Sequence, residues 1–351
     1  MNFIRIGKRK ISEFSKPLII AEIGVNHECS LKRAKKLVSQ AKKSGADVVK
    51  FQTYKAEKIA SKFSPSYWDK KKEKTKNQFE LFKKLDHFNE KEYRNIYRFC
   101  KKIGIEFAST PFDLESVDML NKMVTFFKVS SSDITNYPLL KKVASKKKPI
   151  ILSTGASNIK EIKEALAVIK KYKNKVILMH CILNYPTLNK DANLRMIKSL
   201  KKEFPNNLVG YSDHTLPCKN MTNLCTAFSI GASVIEKHFT DNKKQKGNDH
   251  YHAMDKHDLK IFLKKIDEIY ESLGNFKFKT FIHSEKISRK NARRSIVVTK
   301  NVKKGEKIKK DILMCKRPGT GIPPKDFNKI LGKKFKKSLV ADTIIKWKNI
   351  K

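Results

Sequence analysis

Acidic residues are scarce in this chain. Its 34 Asp and Glu stand against 78 Lys and Arg, a formal net charge of +44 over 351 residues. Such a balance first suggests nucleic-acid binding, because clustered Lys neutralise phosphates and release counterions. Here the lysines are spread through nearly every helical pattern, as in LKRAKKLVSQAKK and IKEIKEALAVIKKYKNK, and no nucleic-acid motif accompanies them. The expectation is solvated helix faces, no nucleic-acid partner, and a positive field that helps draw in anionic substrates. Long apolar runs are also missing: none reaches the roughly 18 to 20 residues of a membrane-spanning helix. The opening MNFIRIGKRKISEF has basic residues without the apolar core and cleavage site of a signal peptide. A cytoplasmic protein without membrane association is expected. The six cysteines (Cys29, Cys100, Cys181, Cys218, Cys225, Cys315) form no CxxC pair, which suits free thiols and excludes a cysteine-ligated zinc site.

What is present is 40% hydrophobic residues in a repeating order, enough for one large core and a small second domain. Short apolar runs alternate with amphipathic stretches, the pattern of β/α units. Eight strands are predicted, at residues 17–24, 46–52, 105–110, 125–130, 149–154, 175–180, 207–212 and 233–238. Continuous apolar runs of this kind are parallel strands covered by helices, so eight units predict a closed (β/α)8 barrel. A doubly wound open sheet is the competing architecture, and the absence of GxGxxG after the first strand counts against it. From about residue 283 short β segments with Gly and Pro punctuation predict a compact second domain. The barrel is assigned to residues 1–280 and the small domain to 284–351, with the boundary near Asn275 to Ser284 and a terminal strand in TIIKWK. Residues 53–92 are too long for an ordinary βα loop, and barrels use such loops to build active sites.

A barrel enzyme works at the C-terminal ends of its strands. Polar residues stand at all eight: Glu22; Lys50 and Gln52; Thr110; Lys128, Ser131 and Asp133; Ser153; His180 and Tyr185; Ser212, Asp213 and His214; Glu236, Lys237 and His238. Singly, each has a plain structural role as a cap, a snorkelling chain or a hydrogen-bonded histidine. Together they offer cations and hydroxyls for a phosphate or carboxylate, and carboxylates for proton transfer. His214 and His238 end adjacent strands, and two imidazoles with open positions suit a divalent Mn, Fe, Co or Zn ion acting as a Lewis acid. A Schiff-base aldolase using Lys50 or Lys128 is a second reading of the same residues.

The segments AEIGVNH (21–27), KFQTY (50–54), STPFD (109–113), ITNYPLL (134–140), ILSTG (151–155), YSDHT (211–215), IEKHFT (235–240), NARRSIVV (291–298) and KRPGTGI (316–322) occur in order. This set resembles the sialic acid synthase family, which includes the legionaminic and pseudaminic acid synthases, and it spans almost the whole chain. The resemblance implies a (β/α)8 TIM barrel followed by a small antifreeze-like (SAF) domain, in a domain-swapped homodimer. It implies condensation of phosphoenolpyruvate with an N-acylated amino-sugar aldehyde and release of phosphate by C–O cleavage. Carried over by position, His214 and His238 look like ligands of a divalent metal, most often Mn2+, with Mg2+ or Co2+ as alternatives. Lys50, Thr110, Lys128, Ser131, Ser153 and Ser212 look like the phosphoenolpyruvate cradle. Glu22, Lys50 and Asp213 are the implied catalytic groups, and Gln52, Tyr185, Glu236 and Asp249 the implied sugar contacts. Arg293 and Arg294 look like the arm from the other subunit. Synthases of the KDO phosphate or DAHP type, which take a sugar phosphate, are the related alternative, and NARRSIVV and KRPGTGI argue against them. Three stretches depart from the family pattern: Leu183 stands where a polar residue is expected, KVSSSD has Ser130 and Ser132 where relatives have small apolar residues or Gly, and NDHYHAMDKHD (248–258) adds His250, His252 and His257, which lie on a flexible loop, touch an altered sugar or bind a second metal, the loop being the first expectation.

Overall fold

The computed structural model describes residues 3–247, 249–274 and 278–351. Twelve strands are described, in chain order β1 Ile4–Ile6, β2 Arg9–Ile11, β3 Leu18–Gly24, β4 Val48–Thr53, β5 Glu106–Pro111 and β6 Phe127–Val129, then β7 Ile150–Ser153, β8 Val176–His180, β9 Leu208–Asp213, β10 Val234–His238, β11 Ser295–Val298 and β12 Leu313–Lys316. Strands β3 to β10 form one eight-stranded sheet in the order β5-β4-β3-β10-β9-β8-β7-β6, and every described register in it is parallel. With β5 alongside β6 the row bends into a nearly closed (β/α)8 barrel. All eight predicted strands are present, displaced by a residue or two at their ends.

The helices form where the apolar spacing puts them. Leu31–Lys43 turns Ala34, Leu37, Val38 and Ala41 to the sheet, and Ser30 caps its N-terminus. Glu90–Ile103 opens on an Asn89 capping box and closes at Gly104, whose φ of 71° a side chain would strain.

Alternation along the strands divides the core in two. Ile19, Ala21, Val49, Phe51, Val209, Tyr211 and Ile235 face the helix layer. Leu18, Ile20, Val48, Ala108, Ile151, Ile177 and Val234 fill the barrel's interior at its N-terminal end. The hairpin of β1 and β2, unforeseen in the sequence, packs Ile4, Ile6 and Ile11 onto this interior cluster. At β9 the interior position is Gly210, where a Cβ would lie 2.7 Å from the Val234 carbonyl oxygen and press on the Met179 sulfur.

The chain divides into compact units Met1–Gly274 and Asn275–Lys351. Part of the expected boundary region, 275–277, lies outside the described residues; residues from 278 onward belong to the second unit, ahead of the expected barrel end at 280. The second unit has its own core, with Ile296, Val298, Ile308, Ile322, Phe335 and Ile345 buried together. Strands β11 and β12 pair antiparallel. The terminal segment expected as a strand makes only an isolated bridge, Ile344 to Val297, before a 3-10 turn at Trp347–Asn349. Among the described residues no helix is long and apolar enough to cross a membrane, and the six cysteines are free.

Candidate active site

The interior positions that are apolar near the start of each barrel strand turn polar toward its end. Ile20 is followed two residues on by Glu22, Val48 by Lys50, Ala108 by Thr110, Phe126 by Lys128, Ile151 by Ser153, Gly210 by Ser212 and Val234 by Glu236. These seven polar side chains are all buried, and they line one cavity of about 870 Å3. Gln52, Ser131, Leu183, Tyr185, His214, His238 and Asp249 line it as well. The long 53–92 segment builds a wall from Tyr54, Tyr67, Leu81 and Phe82.

Charge at the cavity floor is arranged in pairs. Lys50 Nζ donates to Glu22 Oε1 at 2.5 Å and to Thr110 Oγ1 at 3.2 Å, and it lies 3.9 Å from Glu236 Oε2. Lys128 Nζ donates to Glu236 Oε1 at 3.0 Å, an oxygen that also accepts from Ser212 Oγ at 2.9 Å. Gln52 Nε2 donates to Glu22 at 3.1 Å. Burial works to protonate Glu22, but the charges of Lys50, His238 and Lys128 outweigh it and hold the carboxyl well below the usual carboxylate range. Burial likewise works to discharge Lys128, and Glu236 and Glu22 more than offset it, keeping the ammonium charged. Two cations and two carboxylates held out of water cost several kcal/mol per ion before their attraction repays it. Such a set in a cavity marks a functional site.

At the cavity mouth the imidazoles gather. His214 and His238 have ring centroids 5.9 Å apart, and Tyr185 stands 4.3 Å from His214. The His214 Nδ1 bonds the Ile182 carbonyl at 2.7 Å, which leaves Nε2 for a ligand. Burial, then the charge of His238, pulls the His214 pKa down to about 4, so the ring is neutral and able to ligate at neutral pH. The donor set fits a divalent metal: among the described residues His238 Nδ1 is buried with no hydrogen-bond partner, and so are both ring nitrogens of His252. His238, Asp249 and His252 can each bring one ligand atom within 4.8 Å of the others. Of the readings open for His252, the flexible loop is excluded by its burial in this group. Of the same stretch, His250 bonds Thr240 Oγ1 at 2.7 Å, His257 is exposed on the following helix, and Asn248 lies outside the described residues.

One other expectation falls differently, and further residues can be placed. Asp213 does not line the cavity. Its parity is that of Val209 and Tyr211, so it faces the helix layer, where Lys237 Nζ donates to Oδ2 at 2.7 Å and Tyr211 Oη and Thr215 N–H donate to Oδ1 at 2.8 and 3.0 Å. Both oxygens are engaged, so its part is structural, and the alternation of the strand carried the signal. Leu183 does line the cavity, while the neighbouring Asn184 is exposed and outside the lining. Arg293 and Arg294 are exposed residues of the second unit.

Similarity to known proteins gives the family. A protein of Methanocaldococcus jannaschii described as uncharacterised is 44% identical over 352 residues, spanning 100% of this chain and 99% of that one. The N,N'-diacetyllegionaminic acid synthase of Legionella pneumophila is 39% identical over 340 residues, spanning 95% of this chain and 94% of that one. The crystal structure of N-acetylneuraminic acid synthetase from Leptospira borgpetersenii, in complex with citrate, superposes with a TM-score of 0.73 at 31% identity over 82% of this chain and 95% of that one. Residues 37–278 match the NeuB family and residues 293–351 match the SAF domain. The chain therefore belongs to the NeuB family and carries a SAF domain after its barrel.

Proposed function

We propose that the protein is a nonulosonic acid synthase that condenses phosphoenolpyruvate with an N-acylated mannosamine-type aldehyde and releases phosphate. The observation that carries the reading is the buried pair of cations, Lys50 and Lys128, in the same cavity as the histidines of the mouth. The relation to a legionaminic acid synthase over 95% of the chain supports the same chemistry.

Lys50 and Lys128, with the hydroxyls of Thr110, Ser131, Ser153 and Ser212, hold the phosphate and carboxylate of phosphoenolpyruvate. C3 of that substrate attacks the aldehyde carbon; water adds at C2, and the phosphate leaves with its bridging oxygen. Glu22, kept ionised by its lysine neighbours, takes a proton of that water and passes it to the former aldehyde oxygen, which becomes a hydroxyl, while the new C2 hydroxyl gives its proton to the departing phosphate as the ketone forms. Gln52, Tyr185, Glu236 and Asp249 orient the sugar. His214 and His238 would hold a divalent ion, Mn2+ or Co2+ in type, and when bound it supplies Lewis-acid polarisation of the aldehyde oxygen. Holding two reactants in one dry cavity provides much of the rate. Arg293 and Arg294 reach the sugar from the other subunit of a domain-swapped homodimer.

The test is phosphate release from phosphoenolpyruvate with Mn2+, offering N-acetylmannosamine or a 2,4-diacetamido-6-deoxymannose, beside His214→Ala. Release that needs both an acceptor and His214 is the expected outcome. Release with a pentose or tetrose phosphate alone would favour the sugar-phosphate class, and pyruvate trapped on Lys50 or Lys128 by borohydride would replace the mechanism with Schiff-base chemistry.

A further inference from the structure

His252 is fully buried, yet among the described residues neither ring nitrogen has a hydrogen-bond partner. A histidine that only filled space would have found a backbone carbonyl, as His180 does with Ala192 at 2.8 Å and His214 with Ile182. Its surroundings can ligate: its ring centroid is 4.9 Å from that of His238, and His252, His238 and Asp249 offer ligand atoms within 4.8 Å of one another, with the His214 ring farther off at 6.5 Å. The stretch that carries it is pinned on both sides. His250 bonds Thr240, Tyr251 Oη donates to the Tyr185 carbonyl at 2.8 Å, and Met254 N–H donates to the His238 carbonyl at 2.8 Å. That last bond ties the segment to β10 itself, so His252 is held beside His238 by the backbone.

We propose that His252 is a third imidazole ligand at the His214 and His238 site, closing with His238 and Asp249 a group that retains a borderline transition ion such as zinc, iron(II) or cobalt(II) before any substrate arrives. The inference rests on reading His214 and His238 as the metal pair. Two imidazoles leave most of a coordination shell to water and substrate. A third nitrogen donor raises affinity and shifts preference away from oxygen-seeking Mn2+ and Mg2+, and three protein ligands still leave a position open for chemistry. Asp249, 3.6 Å from His238 Nδ1, adds a carboxylate that either orients that ring or joins the shell.

The experiment is a cobalt(II) titration of the chelator-treated full-length protein without substrate, read by visible absorption and by competition with a chromophoric chelator. Wild type is expected to bind one equivalent. His252→Ala should weaken binding at least about 10-fold and change the absorption band, whereas the exposed His257→Ala should match wild type. His252→Leu keeps the bulk without the nitrogens; it should fold, and a given cobalt concentration should raise the Tm of wild type more than that of this variant. If His252→Ala and His252→Leu bind cobalt like wild type while His214→Ala does not, the third ligand is overturned and the metal pair stands. If wild type itself takes up no cobalt, both fall.

Discussion

His27, just beyond strand β3, is buried and stacked on Phe88 at a centroid distance of 4.3 Å, and its Nδ1 accepts from the Cys29 N–H at 3.1 Å. Burial, with the charge of Arg33, pulls its pKa down to about 3, against 6.5 for an ordinary histidine. The folded ring stays neutral while the unfolded chain takes up a proton below pH 6.5. Its contribution to stability is therefore intact above that pH and is lost as pH falls toward 3. A loss on the order of 2 kcal/mol by pH 5 follows from this shift. Urea melts at pH 7 and pH 5 should show a smaller drop for His27→Gln than for wild type, and equal drops would assign the acid limb elsewhere. Asp213 gives a second test at the same scale. Asp213→Ala leaves Lys237 charged and buried without its partner and should cost about 3–5 kcal/mol, part of which Lys237→Met on the same chain restores. Denaturation midpoints of the three variants check it, and a single variant as stable as wild type would contradict the pairing.

Each barrel strand was legible because a buried parallel strand is a short, nearly continuous apolar run, and eight such runs stand between helices with clear 3.6-residue spacing. The site was legible wherever a polar residue broke such a run at its end, as Glu22, Lys50, Lys128 and His238 do. Which side of the sheet the residue faces was the weaker part. Counting by twos from Val234 separates Glu236 and His238, inside the barrel, from Lys237, outside it, and the same count from Gly210 sets Asp213 outside. The hairpin Ile4–Ile11 escaped because strands of three residues carry no period, and the terminal bridge at Ile344 is shorter than the strand its apolar pattern suggested. His252 was singled out in the sequence, but its burial was not legible for another reason: it depends on β10 and the Tyr185 segment, which leave no mark in local sequence. At Gly210 the strand tolerates nothing larger than hydrogen, so Gly210→Ala should lower stability by about 1–3 kcal/mol through overpacking, seen as a fall in Tm. An unchanged Tm would mean that Met179 gives way without cost.

Over the whole molecule the charge of +44 acts at a distance. The proposed trianionic substrate, phosphoenolpyruvate, would be drawn in faster at low salt, so its kcat/KM should fall as ionic strength rises, while kcat holds nearly constant. A flat profile would confine the attraction to Lys50 and Lys128. The proposed exchange of arms between subunits has a separate signature. Arg294→Ala and His214→Ala homodimers should both be inactive, yet after mixing and exchange about a quarter of wild-type phosphate release should return, because half the dimers are mixed and each has one intact site. No recovery, with exchange verified, would place Arg294 in its own subunit's site or in none.

The apolar plug of Ile4, Ile6 and Ile11 beneath the interior cluster gives the barrel a floor. A vessel with a floor has one doorway, and whatever sits deepest must enter first and leave last. Lys50 and Lys128 lie directly above the apolar layer and the imidazoles nearer the rim, so the anion should load before the sugar and the sugar should act as its lid. Initial-rate patterns should then be ordered, and the sugar alone should fail to protect the enzyme from heat.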